Sequence, residues 1–312
     1  MNSYQKVEQL KSIIIEKLTP LINNDYYLLE VPYYTNIGDT LIWQGEMDFL
    51  RTLPYKCKGM YSLDTFTFPS IDKKNIILFQ GGGNFGDLWT KHHDFKLSVV
   101  KHYKDNHFIF FPQTVYFENN ENLIRSANFL SKYKNVTICA RDTISFEILK
   151  KHFKNNILLI PDMAFCMNMQ KWRPCCKENQ PLLLKRIDKE LKDSKVLIEV
   201  QQIKGIEVTD WPTMMKMDFS TKLLERMKYR LRKFPWIINQ YCFLHYRPHL
   251  IRIGINLLMQ HSTIYSTRLH AAILSILLNK PEIYFLDNSY GKNKSFFDTW
   301  LYDCDQIHFL LK

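Results

Sequence analysis

The chain has 312 residues, 46% of them hydrophobic, 23% charged and 14% aromatic, which excludes disordered and fibrous classes and leaves a folded protein long enough for two compact units. No apolar run reaches the roughly 20 residues that a bilayer-spanning helix needs. The first residues, MNSYQKVEQLKSIIIEKL, scatter charge through their apolar positions, so no signal peptide is expected and the cytoplasm is the expected compartment.

The first half alternates short β-rich runs with helical patterns. Strands are expected at 26–31 (YYLLEV), 75–80 (NIILFQ), 107–111 (HFIFF), 136–140 (VTICA) and 157–160 (ILLI), with helices near 40–52, 92–103, 119–132 and 142–152. Near-continuous apolar strands set between helices predict a parallel sheet covered on both faces. Between 161 and 181, three prolines, the pair Cys175-Cys176 and the polar run KENQ break the periodicity and mark a crossover near Lys171. A second α/β pattern follows, with strands expected at 181–186, 196–200, 262–266 and 282–286 and helices near 216–232, 248–260 and 268–279. The expected architecture is therefore two Rossmann-like domains facing a cleft, residues 1–170 and 171–312, with the last helix crossing back onto the first domain. Such sheets place ligands at the carboxyl ends of their strands.

Seven cysteines form neither a CxxC pair nor a regular framework, which fits reduced thiols and argues against a zinc site. The formal charge of +11 is uneven: between Arg226 and Gln260 there are seven Lys or Arg and no Asp or Glu. That excess implies an anionic partner such as nucleic acid, an acidic membrane surface or a phosphorylated substrate. Residues 226–260 also carry Phe234, Trp236, Ile237, Ile238, Tyr241 and Phe243, a mixture suited to the interface of an anionic bilayer. A helical pair that packs its apolar residues inward and leaves its charges in solvent is the alternative.

Gly81 to Gly86, GGGNFG, satisfies G-x-G-x-x-G after a strand, but the next strand ends in FPQT rather than the acidic residue a dinucleotide site wants. Here a strand-to-helix turn is expected, with Gly82, Gly83 and Asn84 exposing backbone N–H groups to a substrate or anion; a tight turn without a ligand is the alternative. Asn36-Ile37-Gly38-Asp39 precedes an amphipathic helix, and Asp39 is expected as its N-cap, placed to bind a sugar hydroxyl or accept its proton. Asp87 and Asp162 read as caps or turn residues. Arg141 ends a strand and can offer a planar fork to a carboxylate or phosphate, or pair with Asp142 or Glu147. In 262–281, STIYSTRLHAAILSILLNKP, Ser266 and Thr267 are expected to cap a helix whose first turn holds Arg268 and His270. Backbone donors, a guanidinium and an imidazole in one small volume make an anion site with a proton donor attached.

The ordered set NIGDTLI, FQGGGNFGDLW, FPQTVYF, ARDTISFEIL, PDMAF, KRIDKE and STRLHAAILSILLNKP resembles the polysaccharide pyruvyl transferase family over most of the chain. The resemblance implies a fold like that of GT-B glycosyltransferases and transfer of a pyruvyl group from phosphoenolpyruvate, as co-substrate, to sugar hydroxyls of a surface polysaccharide or its lipid-linked precursor. It implicates Arg141, Arg268 and His270, with Asp39 in the cleft and Asn36 beside it. The chemistry fits: two arginines can hold the phosphate and carboxylate, and His270 can protonate the methylene carbon. No cofactor or metal is expected. A nucleotide-sugar glycosyltransferase would use the same cleft, and a degenerate saccharide- or membrane-binding module is the non-enzymatic alternative. Nucleic acid is not expected, because the charge is confined to one segment without a recognition motif.

Overall fold

The computed structural model describes residues 1–172 and 180–310, so the Cys175-Cys176 pair lies outside the described residues. The chain opens with α1 (Ser3–Leu18), then β1 (Tyr26–Leu29), α2 (Ile37–Leu50), β2 (Cys57–Tyr61), β3 (Ile76–Phe79) and β4 (Gly82–Gly86). It continues with α3 (Thr90–His102), β5 (His107–Tyr116), α4 (Asn120–Leu130), β6 (Val136–Ala140), α5 (Thr143–His152) and β7 (Asn156–Leu159). These strands form one sheet in the order β2-β1-β3-β5-β6-β7, with β4 pairing β5 off this path.

The second half holds β8 (Gln180–Leu184), α6 (Lys195–Gln201), β9 (Glu207–Thr209), α7 (Pro212–Met215), α8 (Phe219–Leu231) and α9 (Pro235–Tyr241). A π-helical segment, Cys242–Tyr246, leads into α10 (Arg247–Met259), followed by β10 (His261–Ser266), α11 (Leu269–Leu277), β11 (Glu282–Phe285), α12 (Lys292–Trp300) and β12 (Ile307–Phe309). The second sheet runs β12-β11-β10-β8-β9. Every strand pair in both sheets is parallel, as the apolar, doubly covered runs IILF and VTICA require. This mixed α/β architecture is compatible with a GT-B-like fold.

One cluster of buried apolar side chains joins the sheets. It takes Leu28 and Leu78 from the first, Leu184, Ile264 and Phe285 from the second, and Trp43 of α2 between them. Helix α2 packs against both α10 and α11, which brings the starts of α2 and α11 together. Helix α12 in turn lies on α5, where Ser295 donates to Asp142 at 2.9 Å.

Several local expectations are corrected. Residues 196–200 form helix α6 rather than a strand: Ser194 caps Leu197 N at 3.1 Å, and Val196, Leu197 and Val200 turn to the core while Ile198 faces solvent. The cap chemistry outweighs the β-branched composition. GGNFG is strand β4, not a strand-to-helix turn. A Cβ on Gly86 (φ 133°) would meet the Tyr116 carbonyl oxygen at 1.7 Å, so this glycine serves close approach to β5. The N-cap of α2 is Asn36, whose side chain accepts from Gly38 N at 2.9 Å; Asp39 sits three residues on. Helix α11 has Arg268 at its N-cap position and no side-chain cap bond. Ser266 instead accepts from Arg268 N at 3.0 Å, and Thr267 from Arg186 N at 2.9 Å.

Residues 226–260 pack part of their apolar side chains inward and leave the rest in solvent. Ile238, Cys242 and Tyr246 pack inward, and Arg247 is buried against the Trp43 and Phe243 rings. Phe219, Leu223 and Met227 form an i, i+4, i+8 stripe on α8 that faces solvent, joined by Phe234, Trp236 and Ile237. Trp236 is 74% exposed and Phe219 79%. Lys222, Arg226, Arg230, Arg232 and Lys233 are exposed in the same region.

Candidate active site

A cavity of about 520 Å³ is lined by residues of both halves of the chain. The loop before α2 and its first turn supply Tyr34, Asn36, Gly38 and Asp39, and α11 and its N-cap supply Arg268, Leu269 and His270. Two helix N-termini therefore open onto one space, adding their positive ends to the side-chain cations.

Arg141 is fixed from three sides. Its backbone N–H donates to Gln113 O at 3.0 Å, its Nε to Thr114 Oγ1 at 2.8 Å, and its Nη1 to Asp162 Oδ2 at 2.8 Å. Asp162 also meets His270 Nε2 at 3.2 Å and accepts from Ala164 N at 2.9 Å. Burial alone would raise the Asp162 carboxyl, but His270, Arg141 and the Ala164 amide outweigh it and hold it well below the usual carboxylate range. Arg141, Asp162 and His270 thus form one linked group, with Arg141 Nη1 3.5 Å from His270 Nε2. The imidazole lies over Gly38, where a Cβ would stand 2.8 Å from Nδ1 and 3.1 Å from the ring's Cγ. Gly38 is the residue that makes room for the histidine.

Arg268 is anchored through Nε and Nη2 to Asp210 and reaches Asp188 Oδ2 at 3.2 Å. Asp188 also holds Arg186 Nε at 2.7 Å, and Arg186 Nη1 meets Glu190 Oε2 at 2.8 Å. Glu190 takes Lys292 Nζ and accepts from Tyr290 Oη at 2.9 Å. Burial is the main cause that brings the Lys292 ammonium down to about 8, with Glu190 opposing and Arg186 and Arg141 adding to the fall. The second-half wall of the cavity is thus a ladder of cations, each carrying an acidic partner.

Asp39 Oδ2 accepts from Tyr34 Oη at 3.0 Å and Asn36 Nδ2 at 2.7 Å. Gly83 faces Arg141, with a Cβ there 3.7 Å from Nη2, so the glycine leaves the space beside the buried guanidinium unfilled.

The chain matches the profile of the polysaccharide pyruvyl transferase family over residues 36–290. It belongs to that family. Over 296 residues it is 31% identical to EpsO of Bacillus subtilis (strain 168), provisionally named a pyruvyl transferase, covering 92% of this chain and 87% of that one. Pyruvyl transferase 1 of Schizosaccharomyces pombe is 26% identical over 312 residues, covering 89% of this chain and 70% of the yeast protein. A crystal structure of a functionally uncharacterised protein from Klebsiella pneumoniae subsp. pneumoniae NTUH-K2044 superposes with a TM-score of 0.64 at 19% identity, covering 97% of this chain and 99% of that one, and so shares the fold.

In this family member the cavity gathers Asn36, Asp39, Gly83, Asn84, Arg141, Arg268 and His270 from the sequence-derived set. Gly82, Ser266 and Thr267 do not line it. Gly82 lies in β4 at φ 134°, beside Ile42, and Ser266 and Thr267 are buried with their hydroxyls bonded to the backbone. The partner of Arg141 is Asp162, not Asp142, which caps α5 instead, or Glu147. Sequence reasoning passed over Arg186, Asp188, Glu190, Lys292 and His92. The first three stand in KRIDKE, where two carboxylates flank a strand-terminal arginine at i+2 and i+4. That charge pattern is the signal that could have found them.

Proposed function

We propose that this pyruvyl transferase takes its pyruvyl group from phosphoenolpyruvate and delivers it to sugar hydroxyls of a bacterial surface polysaccharide or of its lipid-linked precursor, as a ketal. The observation that carries the reading is the convergence of Arg141, Arg268 and His270 at two helix N-termini in one cavity. Guanidinium forks and helix N-termini match a ligand that is phosphate at one end and carboxylate at the other.

In this scheme His270, steadied by Asp162, gives a proton to the methylene carbon, which becomes a methyl group and leaves the adjacent carbon electrophilic. An acceptor hydroxyl oxygen bonds to that carbon. The C–O bond to phosphate then breaks, and a second hydroxyl closes the ketal. Of the two hydroxyl hydrogens lost, one is balanced by the methyl hydrogen and the other by the proton on the departing inorganic phosphate. Tyr34, Asn36 and Asp39 form a hydrogen-bonding array suited to orienting a sugar. No cofactor enters this scheme.

The exposed apolar and basic face of α8 and α9 adds a location. Phe219, Leu223 and Trp236 beside Arg230, Arg232 and Lys233 suit the inner face of an anionic membrane. Met214 of α7 lines the cavity while the adjacent Met215 is exposed, and Lys228 of α8 donates to the carbonyl of Tyr33, next in sequence to the cavity-lining Tyr34. A lipid-linked saccharide held in the bilayer would then present its sugar to the cavity.

The test is mass spectrometry of sugar and lipid-linked acceptors incubated with phosphoenolpyruvate or with nucleotide sugars. A gain equal to pyruvate less one water, with release of inorganic phosphate, supports the reading. Transfer of a hexose unit instead would overturn it in favour of glycosyl transfer.

A further inference from the structure

His92 lines the cavity from the first turn of α3. Its Nδ1 lies 2.7 Å from Oε1 of Glu30, whose side chain is 2% exposed. The same carboxylate takes the Nζ of Lys96 at 2.6 Å, and Lys96 is wholly buried. Glu30 follows directly on β1 with φ 69°, a left-handed conformation that a glutamate adopts only against backbone strain. Neutralising Lys96 would require neither that backbone nor a histidine.

A carboxylate is an acceptor only, so in the neutral imidazole the proton belongs on Nδ1 and Nε2 carries the lone pair. The Asn84 amide, 3.5 Å from Nδ1, is too distant to compete. Asp39, the other group placed to receive a hydroxyl proton, already accepts two hydrogen bonds on Oδ2, which suits it to holding the sugar in position.

We propose that His92 is the base that takes the proton of the attacking acceptor hydroxyl, and that Glu30 positions it. This rests on the pyruvyl transfer reading above. As the acceptor oxygen bonds to the pyruvyl carbon, its O–H bond breaks and the proton passes to Nε2 of His92. Solvent later takes the proton from His92 and returns one to His270. The two histidines then divide the proton traffic, His270 on the donor and His92 on the acceptor.

The experiment compares wild type, H92Q and E30Q for phosphoenolpyruvate binding by calorimetry, for kcat and for the pH profile of kcat/KM. H92Q is expected to bind phosphoenolpyruvate normally, to lose at least about 10²-fold in kcat, and to lose the acid limb of the profile. In E30Q that limb should move to lower pH, because removing a carboxylate beside an imidazole makes the imidazole a weaker base. The charged and titratable groups around the ring are Glu30 from the end of β1, Lys96 on α3, Tyr34 edge-on at 6.1 Å with Asp39 behind it, and Lys189 over the neighbouring Trp89. E30Q leaves Lys96 without its carboxylate, so H92Q, altered at a partly exposed ring, decides if E30Q does not fold. H92Q with wild-type kcat and an intact acid limb overturns the proposal while pyruvyl transfer stands. A wild-type protein that neither binds nor consumes phosphoenolpyruvate overturns both.

Discussion

Replacing Gly38 by alanine adds one methyl group to the α2 N-terminus and separates catalysis from stability. The new Cβ would stand 2.8 Å from His270 Nδ1, and 3.1 Å from that residue's Cβ and Cγ. Ordinary contact needs several tenths of an ångström more, so the imidazole must retreat. Its 3.2 Å link to Asp162 then stretches or turns out of line. Misplacing a reacting group by about 1 Å costs up to about 10²-fold in rate, so a retreat of several tenths of an ångström should lower kcat by roughly 3- to 10-fold, equivalent to about 0.6–1.4 kcal/mol. Stability should respond differently. Alanine is better than glycine inside a helix by about 1 kcal/mol, which offsets part of the crowding, and the Asn36 cap on Gly38 N is kept. Phosphate release from saturating phosphoenolpyruvate measures the first effect and thermal unfolding the second. G38A with unchanged kcat would refute the claim that His270 works from the position Gly38 permits. A melting temperature lowered by many degrees would show that the backbone, rather than the ring, absorbs the clash.

Lys292 supplies a pH signature: burial brings its ammonium down to about 8, so it loses its charge as pH rises through that value and the KM for an anionic donor should climb between about pH 7 and 9. K292R should flatten that rise, and an equally steep rise in K292R would exclude Lys292 as its source. The sign for folding is opposite: from about 8 to the ordinary value of 10.5 the folded state binds fewer protons than the unfolded, so this group's contribution to unfolding free energy grows with pH in that window. For the α8–α9 face, sedimentation with vesicles should require anionic lipid and weaken with salt. Changing Arg230, Arg232 and Lys233 together to glutamine should weaken it by roughly 3 kcal/mol at about 1 kcal/mol per basic residue. Equal binding to neutral and anionic vesicles, or none to either, would remove the membrane from the reading.

Most of the first sheet was legible because its central strands are apolar on both faces and its helices announce themselves by periodicity; β3, β6 and β7 fall where the pattern puts them, and β5 begins there but runs on through FPQTVY to Tyr116. What was not legible turns on single contacts. KVLIEV has the composition of a strand, but the Ser194 side chain closes on Leu197 N and the segment is a helix that turns Val196, Leu197 and Val200 inward. GGGNFG has the spacing of a phosphate loop, but its last glycine faces the carbonyl of Tyr116, a partner 30 residues downstream that no local pattern encodes. Short edge strands such as β2 and β9 are half exposed and carry little apolar signal.

The site was half readable for the same reason. Arg141, Arg268 and His270 stand out because the arginines follow the ends of strands and the histidine lies in the helix turn just after one, where a parallel sheet delivers ligands. Their carboxylates do not stand out, since Asp162, Asp188 and Asp210 meet their partners only through the fold. Those carboxylates also decide how the site binds. Removing one partner from a buried ion pair costs about 3–5 kcal/mol, so a donor cannot simply strip Arg268 from Asp210 or Arg141 from Asp162. It must add to guanidinium faces that already hold an acid. Asp162 and Asp210 then act as rigid backstops that aim the forks into the cavity. The lysine whose charge burial weakens, Lys292, is left as the cation that an incoming anion would most strengthen. An anionic ligand seated beside it should therefore take up a proton from solution on binding near pH 8, which calorimetry in buffers of different ionisation enthalpy would read.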